Sequence, residues 1–159
     1  MKIYILIPIF NDWDSVSELL KNIDIEIKNL NHEVSVIIIN DASTEIKEIN
    51  TLTLKNINSA EIVNMTKNQG HSRCIASGLK YIFKEKDFDY VIPMDGDGEE
   101  RPEEIIDFIK LADHSENKTI IGERIKRSEG FFFKLCYQFH KYLTLAFTGE
   151  SIKFGNFTC

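Results

Sequence analysis

Short, continuous apolar runs alternate along this sequence with longer segments in which apolar residues recur at helical spacing. This alternation is typical of β-α-β units, in which a helix carries the chain from one strand to a parallel neighbour. The pattern predicts five strands, near residues 3–7, 34–39, 60–63, 90–94 and 119–121. We therefore expect an α/β fold of three layers, α/β/α, with a mostly parallel central sheet.

Helical spacing predicts helices at about 14–28, 70–86 and 102–112, and a weaker pattern allows one short helix within 44–55. Pro102 suits the first turn of the third helix, because proline lacks only an N–H that has no helical partner there. Neither an internal repeat nor a Gly/Ser-rich linker divides the sequence. We therefore expect a single domain over residues 1–159, truncated at its carboxyl-terminal end.

Composition excludes several classes of protein. The net charge of -6 argues against nucleic acid as a partner, since binding a phosphate backbone requires a basic face. Three cysteines without CxxC spacing fit a reducing compartment better than a disulfide scaffold or a zinc site. The apolar start is too short for a signal peptide, and no run of about 18 apolar residues could cross a bilayer. A cytoplasmic location follows.

Polar residues follow three of the predicted strands. The three clusters occupy residues 8–12, 40–43 and 95–100. Asn, Asp, Ser and Gly are also ordinary turn residues, and Asp41 or Ser43 could simply cap a helix. However, parallel strands end at one edge of a sheet, where α/β proteins bind their ligands. Three clusters at that edge predict a binding site.

The cluster at residues 95–100 has the chemistry of a metal site. Asp95 and Asp97 lie one residue apart on a predicted turn, and Glu99 could add a third oxygen ligand. Carboxylates on a tight turn suit Mg²⁺ or Mn²⁺ and leave positions open for diphosphate oxygens. Gly96 would allow a ligand to approach the backbone closely. A calcium loop is the alternative, but the terminal Glu of an EF-hand loop is missing.

Three further residues could contact phosphate. His71 stands at the start of a predicted helix, where the helix dipole favours anions, although such a histidine can also be a capping or solvated group. Arg124 and Arg127 follow the last predicted strand, and a guanidinium group matches phosphate geometry. The alternative is that both arginines are surface residues.

The order of motifs resembles the catalytic domain of glycosyltransferase family 2, of GT-A (Rossmann-like) fold, and especially its dolichyl-phosphate mannose synthase-like branch. The segments that carry this resemblance are IPIFND, INDAS, KNQGHSRCIASGL, MDGDGEERPEE, IIGERIKR and FGNFTC, in this order. One such segment is unspecific, but six in order are strong. The resemblance implies an inverting, metal-dependent transfer of a sugar from a UDP- or GDP-sugar to a polyprenyl phosphate or a cell-envelope glycan.

The resemblance also implies roles for individual residues. Pro8 and Asp12 would line the ribose and base pocket, and Asp41 would accept a hydrogen bond from the base. Asp95 would lie near the ribose and diphosphate, Asp97 and Glu99 would bind the metal, and Arg124 would contact phosphate. The other expected nucleotide-sugar-binding residues are Asn11, Asn68, Gly70, His71, Gly96 and Arg127. The expected catalytic residues are Asp95, Asp97 and Arg124.

Two positions depart from the family pattern. Asp12 stands where the family usually has Glu, and Asn40 replaces the first acid of the usual pair. Contacts to the base could therefore differ.

The segment 131–147 is strongly apolar but too short to span a bilayer. It predicts either a core or oligomer-contact helix or a helix that docks at the membrane surface. The resemblance favours membrane docking, at the cytoplasmic face, where a lipid phosphate acceptor would be found.

Two other classes of protein also place a ligand at the edge of an α/β sheet. A nucleotidyltransferase would carry a Gly-rich, basic loop after its first strand, and IPIFND has neither glycine nor a basic residue. A noncatalytic module of receiver type would place its paired acids after the first strand rather than the fourth. Both remain alternatives at this stage.

Overall fold

The computed structural model describes residues 1–45, 53–98, 100–114 and 118–122, together with residues 138, 139, 142, 157 and 158. Met1–Ile120 form the larger of two compact units, and Ile121–Thr158 form the other. Whether residues 1–159 behave as one domain stays a prediction. Among the described residues, no helix has both the length and the apolar character needed to cross a membrane.

The larger unit is built on a four-stranded sheet in the order β3-β2-β1-β4. Its strands are β1 (Lys2–Ile9), β2 (Glu33–Asn40), β3 (Ser59–Asn64) and β4 (Tyr90–Pro93). All three neighbouring pairs are parallel, with Leu6 opposite both Ile37 and Pro93. The four predicted strands in this part of the chain are therefore confirmed, and so is the mostly parallel sheet.

Three α-helices connect or follow these strands, and each agrees with a predicted helix. They are α1 (Trp13–Glu26), followed by a 3-10 turn at Ile27–Asn29, then α2 (His71–Glu85) and α3 (Pro102–Asp113). Crossover connections between parallel strands are right-handed. The crossover from β1 through α1 to β2 runs across the sheet in one direction, and the crossover from β3 through α2 to β4 runs in the other. The helices α1 and α2 therefore cover opposite faces, which gives the three-layer fold.

The helix α2 lies on one face of the sheet through a narrow stripe of residues. Cys74, Gly78 and Ile82 are four residues apart, so they share one side of the helix, and all three are buried. They pack with Leu6, Ile37 and Ile39 in one hydrophobic cluster. Because side chains alternate along a strand, Ile5 and Ile7 point to the other face.

The fifth predicted strand is only partly correct. The structure has a strand β5 at Ile121–Gly122, and Thr119 and Ile120 lie outside it. β5 pairs antiparallel with β6 (Phe157–Thr158) in a separate two-stranded sheet. An apolar run predicts a strand but does not reveal its pairing, because the partner is set by residues far away in the sequence.

Two other predicted segments lie largely outside the described residues. Most of the weak helical pattern at 44–55 does so, and its described residues are not helical. Most of the segment 131–147 also lies outside the described residues. Its described residues, Gln138, Phe139 and Tyr142, are helical and exposed.

Candidate functional site

The loops that follow β1 and β2 are bonded into one surface. Asn11, with the left-handed φ of 61°, donates its backbone N–H to Ser43 Oγ at 2.8 Å. Its Oδ1 accepts the N–H of Thr44 at 2.8 Å. Beneath this contact, the buried Trp13 donates its Nε1–H to the carbonyl oxygen of Glu45 at 2.6 Å. The end of β1 therefore positions the loop after β2.

Asp41 connects the end of β2 to the start of α2. Its side chain is only 4% exposed, and its two carboxylate oxygens accept the backbone N–H groups of Gln69 at 2.9 Å and Gly70 at 2.8 Å. The neighbouring Asn40 is also buried and donates its Nδ2–H to Asn64 Oδ1 at 2.8 Å. The side chains of both Asn40 and Asp41 therefore form hydrogen bonds to other segments of the chain.

The Asp95–Gly96–Asp97 turn packs directly against the end of β1. A Cβ atom added at Gly96 would lie 3.3 Å from the side chains of Ile7 and Ile9 and from the carbonyl oxygen of Pro8. Gly96 therefore allows the two acids on either side of it to approach the edge of the sheet. The Glu100 carboxylate holds this turn, since its Oε2 accepts the backbone N–H of Asp95 at 2.9 Å.

The first residue of α2 faces this acidic turn. His71 Nε2 lies 3.4 Å from Asp95 Oδ1, and the two side chains are 56% and 48% exposed. This distance is longer than that of an ordinary hydrogen bond, and the contact is an ion pair only when the imidazole is protonated. The ends of β2 and β4 are thus connected through the start of α2.

The structure brings most of the predicted site residues to the carboxyl edge of the strands. Asp12, Asn68 and Gly70 are exposed there, beside the residues described above. Pro8, however, is buried within β1, opposite Ile39 of β2. The predicted residues Glu99, Arg124 and Arg127 lie outside the described residues, so their roles stay predictions.

The buried position of Pro8 agrees with the hydrogen-bonding pattern of the sheet. The carbonyl oxygen of Leu6 accepts the N–H of Met94, so Pro8, two residues further on, faces the same neighbouring strand. Pairing between β1 and β4 ends at Leu6 and Pro93. The N–H that proline lacks is therefore not needed by the ladder.

Two residues of this site were missed by the sequence analysis. Glu100 was grouped with the acidic run, and only the folded turn distinguishes it from its neighbours as a partner of the Asp95 backbone. Phe10 lies within the cluster at residues 8–12 and was assigned no role there, but its ring is 48% exposed at the site. Its place between a buried strand and Asn11 is the signal that could have identified it.

The described residues fit a divalent cation only in part. Asp95 and Asp97 supply carboxylates, but no group of three or more His, Cys, Asp or Glu side chains in the described part of the chain could hold a metal ion. Diphosphate oxygens and water can supply the other ligands of Mg²⁺. The turn is therefore compatible with a cation that a ligand helps to bind, and Mg²⁺ or Mn²⁺ stays a prediction.

Cys74, on the buried side of α2, is not suited to be a nucleophile. Its Sγ–H donates to the carbonyl oxygen of Ile39 at 3.3 Å. Burial and the nearby charge of Asp41 raise the pKa of the Cys74 thiol to about 11. The thiolate, which is the reactive form, is therefore scarce at neutral pH.

Comparison with known proteins identifies the family. A model of the family described as "Glycosyl transferase family 2" matches residues 4–157, nearly the whole chain. The chain belongs to glycosyltransferase family 2. The expected dolichyl-phosphate mannose synthase-like branch is a finer assignment than this match supports.

A curated protein from Proteus mirabilis (strain HI4320) is 26% identical to this chain over 161 residues. It is named undecaprenyl-phosphate 4-deoxy-4-formamido-L-arabinose transferase. The alignment covers 99% of this chain and 47% of that protein. The chain thus spans about half the length of this curated relative.

Solved structures of TarS from S. aureus share the GT-A fold with this chain. The complex of TarS 1–349 with UDP-GlcNAc has a TM-score of 0.58 at 18% identity, over 82% of this chain and 36% of that chain. The complex with UDP has a TM-score of 0.57 at 20% identity, over 82% of this chain and 38% of that chain. At this identity the likeness shows the fold alone, and it confirms the predicted GT-A architecture.

Proposed function

We propose that this chain is the donor-binding part of an inverting glycosyltransferase that moves a sugar from a UDP- or GDP-sugar to a polyprenyl phosphate or a cell-envelope glycan. One observation carries the proposal: His71, at the start of α2, faces the Asp95–Gly96–Asp97 turn at the carboxyl edge of the sheet. A helix start favours anions, and paired carboxylates favour a cation, so together they suit a diphosphate with its metal ion.

The nucleoside would bind at the ends of β1 and β2. The exposed ring of Phe10 can stack on a base, and the Asp12 carboxylate is exposed within the same segment. Asn11 keeps this segment in place through its bonds to Ser43 and Thr44. The free lone pairs of Asp41 would accept a hydrogen bond from the base.

The diphosphate would lie between α2 and the acidic turn. Gly70 precedes α2 and provides no side-chain cap, which leaves the N–H groups of the first turn available to an anion. Asn68 and His71 would line the same space, and Arg124 and Arg127 would add positive charge to it. Without that charge, the carboxylates of Asp95 and Asp97 would repel a diphosphate.

Asp97 and Glu99 would hold Mg²⁺ or Mn²⁺ at this turn. A bound cation of this kind neutralises negative charge that develops on a leaving diphosphate. Asp95 would face the ribose and the diphosphate, and the guanidinium group of Arg124 would stabilise the same developing charge.

In the transfer step, an acceptor oxygen would attack the anomeric carbon on the face opposite the diphosphate. The new carbon–oxygen bond forms while the bond to the diphosphate oxygen breaks, and that oxygen keeps the electron pair. The configuration at the anomeric carbon is therefore inverted. A phosphate acceptor is already an anion and requires no strong general base, whereas a sugar hydroxyl would require one.

The names of similar proteins support a lipid phosphate acceptor. The curated relative is named as a transferase to undecaprenyl phosphate, and TarS was solved with UDP-GlcNAc. The name of the relative supports a lipid phosphate as the acceptor, and the TarS complex supports a UDP-sugar as the donor. A lipid acceptor also agrees with the dolichyl-phosphate mannose synthase-like branch. The chain would then act at the cytoplasmic face of the membrane, with residues 131–147 as a contact to that surface or to a second copy.

Calorimetry tests the proposal through metal-dependent donor binding. UDP, GDP and their sugars should bind weakly without a divalent ion and at least about tenfold more tightly with Mg²⁺ or Mn²⁺, a difference of about 1.4 kcal/mol. Asp97→Asn should remove most of this gain, because a neutral amide is a poor ligand for a hard cation. Asp107→Asn, an exposed site on α3, is the matched control.

The same preparations distinguish the rival classes of protein. A glycosyltransferase releases nucleoside diphosphate from a nucleotide sugar, a nucleotidyltransferase consumes pyrophosphate or releases it, and a noncatalytic module does neither. Nucleotide affinity that does not change in Asp97→Asn with metal present would refute the role proposed for Asp97.

A further inference from the structure

A continuous series of contacts joins the end of β2 to the acidic turn after β4. The Asp41 carboxylate accepts the N–H groups of Gln69 at 2.9 Å and Gly70 at 2.8 Å. The next residue, His71, begins α2 and places Nε2 at 3.4 Å from Asp95 Oδ1. These contacts span two strand ends that are separated by β1 in the sheet.

The backbone at Gly70 is unusual and is held by Asp41. Gly70 has φ 86° and ψ 160°, a combination that residues with a side chain rarely adopt. A Cβ at Gly70 would meet nothing within 4 Å, so glycine is required there by backbone conformation rather than by lack of space. Two hydrogen bonds to a carboxylate that is 4% exposed fix this conformation where water competes little.

His71 has no comparable constraint of its own. Its side chain is 56% exposed, and the contact of Nε2 with Asp95 Oδ1 at 3.4 Å does not by itself determine where the ring lies. The position of the ring in front of Asp95 therefore depends on where the first turn of α2 begins. That point is set by the bonds from Gln69 and Gly70 to Asp41.

We propose that Asp41 is a positioning residue, which fixes the start of α2 so that His71 orients the Asp95 carboxylate toward the diphosphate of the donor. This inference rests on the function proposed above, and it replaces the contact to the base proposed there for Asp41 by a positioning role. Asp41 has little exposed surface for a ligand, whereas both of its oxygens already bond to the backbone that precedes His71.

The two roles of Asp41 make different predictions for a series of ligands. A base contact affects a nucleoside and its diphosphate equally, while a positioning role affects only ligands that carry the diphosphate. We therefore expect Asp41→Asn to weaken binding of UDP or GDP with Mg²⁺ by about tenfold. Binding of uridine or guanosine, followed by NMR titration, should change by less than about twofold.

Variants of His71 test whether the effect passes through its ring. His71→Leu removes the nitrogen that faces Asp95 and should weaken diphosphate binding by about as much as Asp41→Asn. His71→Gln places an amide N–H near the former Nε2 position and should restore most of the affinity. Because His71 is exposed, these variants should fold even if Asp41→Asn is unstable.

A double-mutant cycle decides whether the two residues act together. Asp41→Asn in the His71→Leu background should cost less than about twofold further, because the path to Asp95 is already lost. In the ligand-free protein, Asp41→Asn should also shift the amide signals of Asp95 and Asp97, while Ser77→Ala on the exposed side of α2 should leave them unchanged.

Three results would overturn the inference or its basis, and they can be told apart. Equal loss of nucleoside and nucleoside diphosphate affinity in Asp41→Asn would make Asp41 a base contact only. Fully additive losses in the cycle would show that Asp41 and His71 act separately. If the unmodified chain binds no nucleotide with Mg²⁺, the proposed function itself fails.

Discussion

Asp24 is a buried carboxylate that organises a loop far from it in the sequence. It lies on α1 with 8% of its surface exposed, and its oxygens accept the backbone N–H groups of Lys55, Asn56 and Ile57. Burial alone would raise its pKa, but the hydrogen bonds from these three backbone groups outweigh burial and hold the pKa of Asp24 below its ordinary value. The charged form is therefore the one that stabilises the fold.

This arrangement predicts a stability difference that depends on pH. Asp24→Asn should lower the free energy of unfolding by about 2 to 4 kcal/mol near neutral pH. The hydrogen bonds to a charged acceptor are lost, and one backbone N–H then faces the NH2 group of the asparagine, which cannot accept a hydrogen bond. Since the pKa is lowered by folding, the contribution of Asp24 is complete above the pKa of the unfolded chain, about 3.9. It is lost as the pH falls through the lower pKa of the folded state.

Urea unfolding of the unmodified chain and of Asp24→Asn, from pH 7 down to pH 3, measures the difference in their free energies of unfolding. This difference should be constant above about pH 5 and should become smaller below about pH 4. Glu18→Gln, at an exposed position of the same helix, is the control and should change stability by less than about 0.5 kcal/mol. A gap that does not narrow in acid would mean that the charge of Asp24 is not what stabilises the loop.

Residues of this kind mark the limit of what sequence alone predicts. Asp41 could be assigned to the site because it follows an apolar run, and the end of a parallel strand is a known place for ligands. Its bonds to Gln69 and Gly70 could not be predicted, nor could those of Asp24 to residues 55–57. In each case the partners are distant in sequence, and only the packing of α1 or α2 on the sheet brings them together.

At the scale of the element, α2 depends on how closely it lies on the sheet. Gly78 is buried, and a Cβ there would come within 2.4 Å of Leu6 Cδ1 and 2.7 Å of Ile39 Cγ1. Ordinary contacts between carbon atoms are about 3.5 to 4.0 Å. Any side chain at Gly78 would therefore push the helix away from β1 and β2 or displace core side chains.

We expect Gly78→Ala to destabilise the protein by about 1 to 3 kcal/mol, although alanine favours helices over glycine by nearly 1 kcal/mol. The adjacent Ser77 is exposed, so Ser77→Ala tests the helix propensity alone and should be neutral or slightly stabilising. Thermal unfolding measures both. A stabilising effect of Gly78→Ala would show that the helix and sheet can separate at little cost.

Because the start of α2 carries His71, the same variant should also weaken nucleotide binding if the helix shifts as a body. Calorimetry with UDP or GDP and Mg²⁺ would detect this effect, while Ser77→Ala should bind as the unmodified chain does. Packing at Gly78 and geometry at the site are then two consequences of one helix position.

The elements themselves were largely predictable, for an identifiable reason. β1 and β2 are buried on both faces, so their apolar runs are nearly continuous, and the helices show buried residues at every third or fourth position. The last predicted strand, at 119–121, is only partly correct, because the strand in the structure is Ile121–Gly122. Its antiparallel partner at Phe157–Thr158 could not be identified from periodicity.

At the scale of the whole molecule, the similarity to family relatives concerns only part of their length. The Proteus relative has more than half of its residues outside the matched region, and the TarS chains have more than 60% outside it. The candidate donor groups from Asp12 to Asp97 nevertheless lie within the described residues of this chain. We therefore infer that donor binding and sugar transfer depend on different parts of such a protein.

We therefore expect the 159-residue polypeptide to bind nucleotide in the presence of Mg²⁺ or Mn²⁺ but to transfer sugar to a polyprenyl phosphate slowly. Correct placement of an acceptor accounts for a large part of the rate of such reactions, so transfer that depends on residues outside the matched half of the relatives would be lower in this polypeptide by about three orders of magnitude or more. Donor affinity would remain nearly the same, because the contacts proposed for the donor lie within this polypeptide.

The measurement compares this polypeptide with a chimera that continues into the matching remainder of the Proteus relative. Nucleotide affinity should agree within about threefold between the two proteins, while transfer to polyprenyl phosphate should be restored only in the longer one. Asp97→Asn in the chimera tests whether nucleotide binding and sugar transfer use the same metal site, since this variant should abolish both metal-dependent binding and transfer. Transfer by the 159-residue polypeptide at the rate of the chimera would show that the described edge of the sheet and the segments near it already contain the acceptor site.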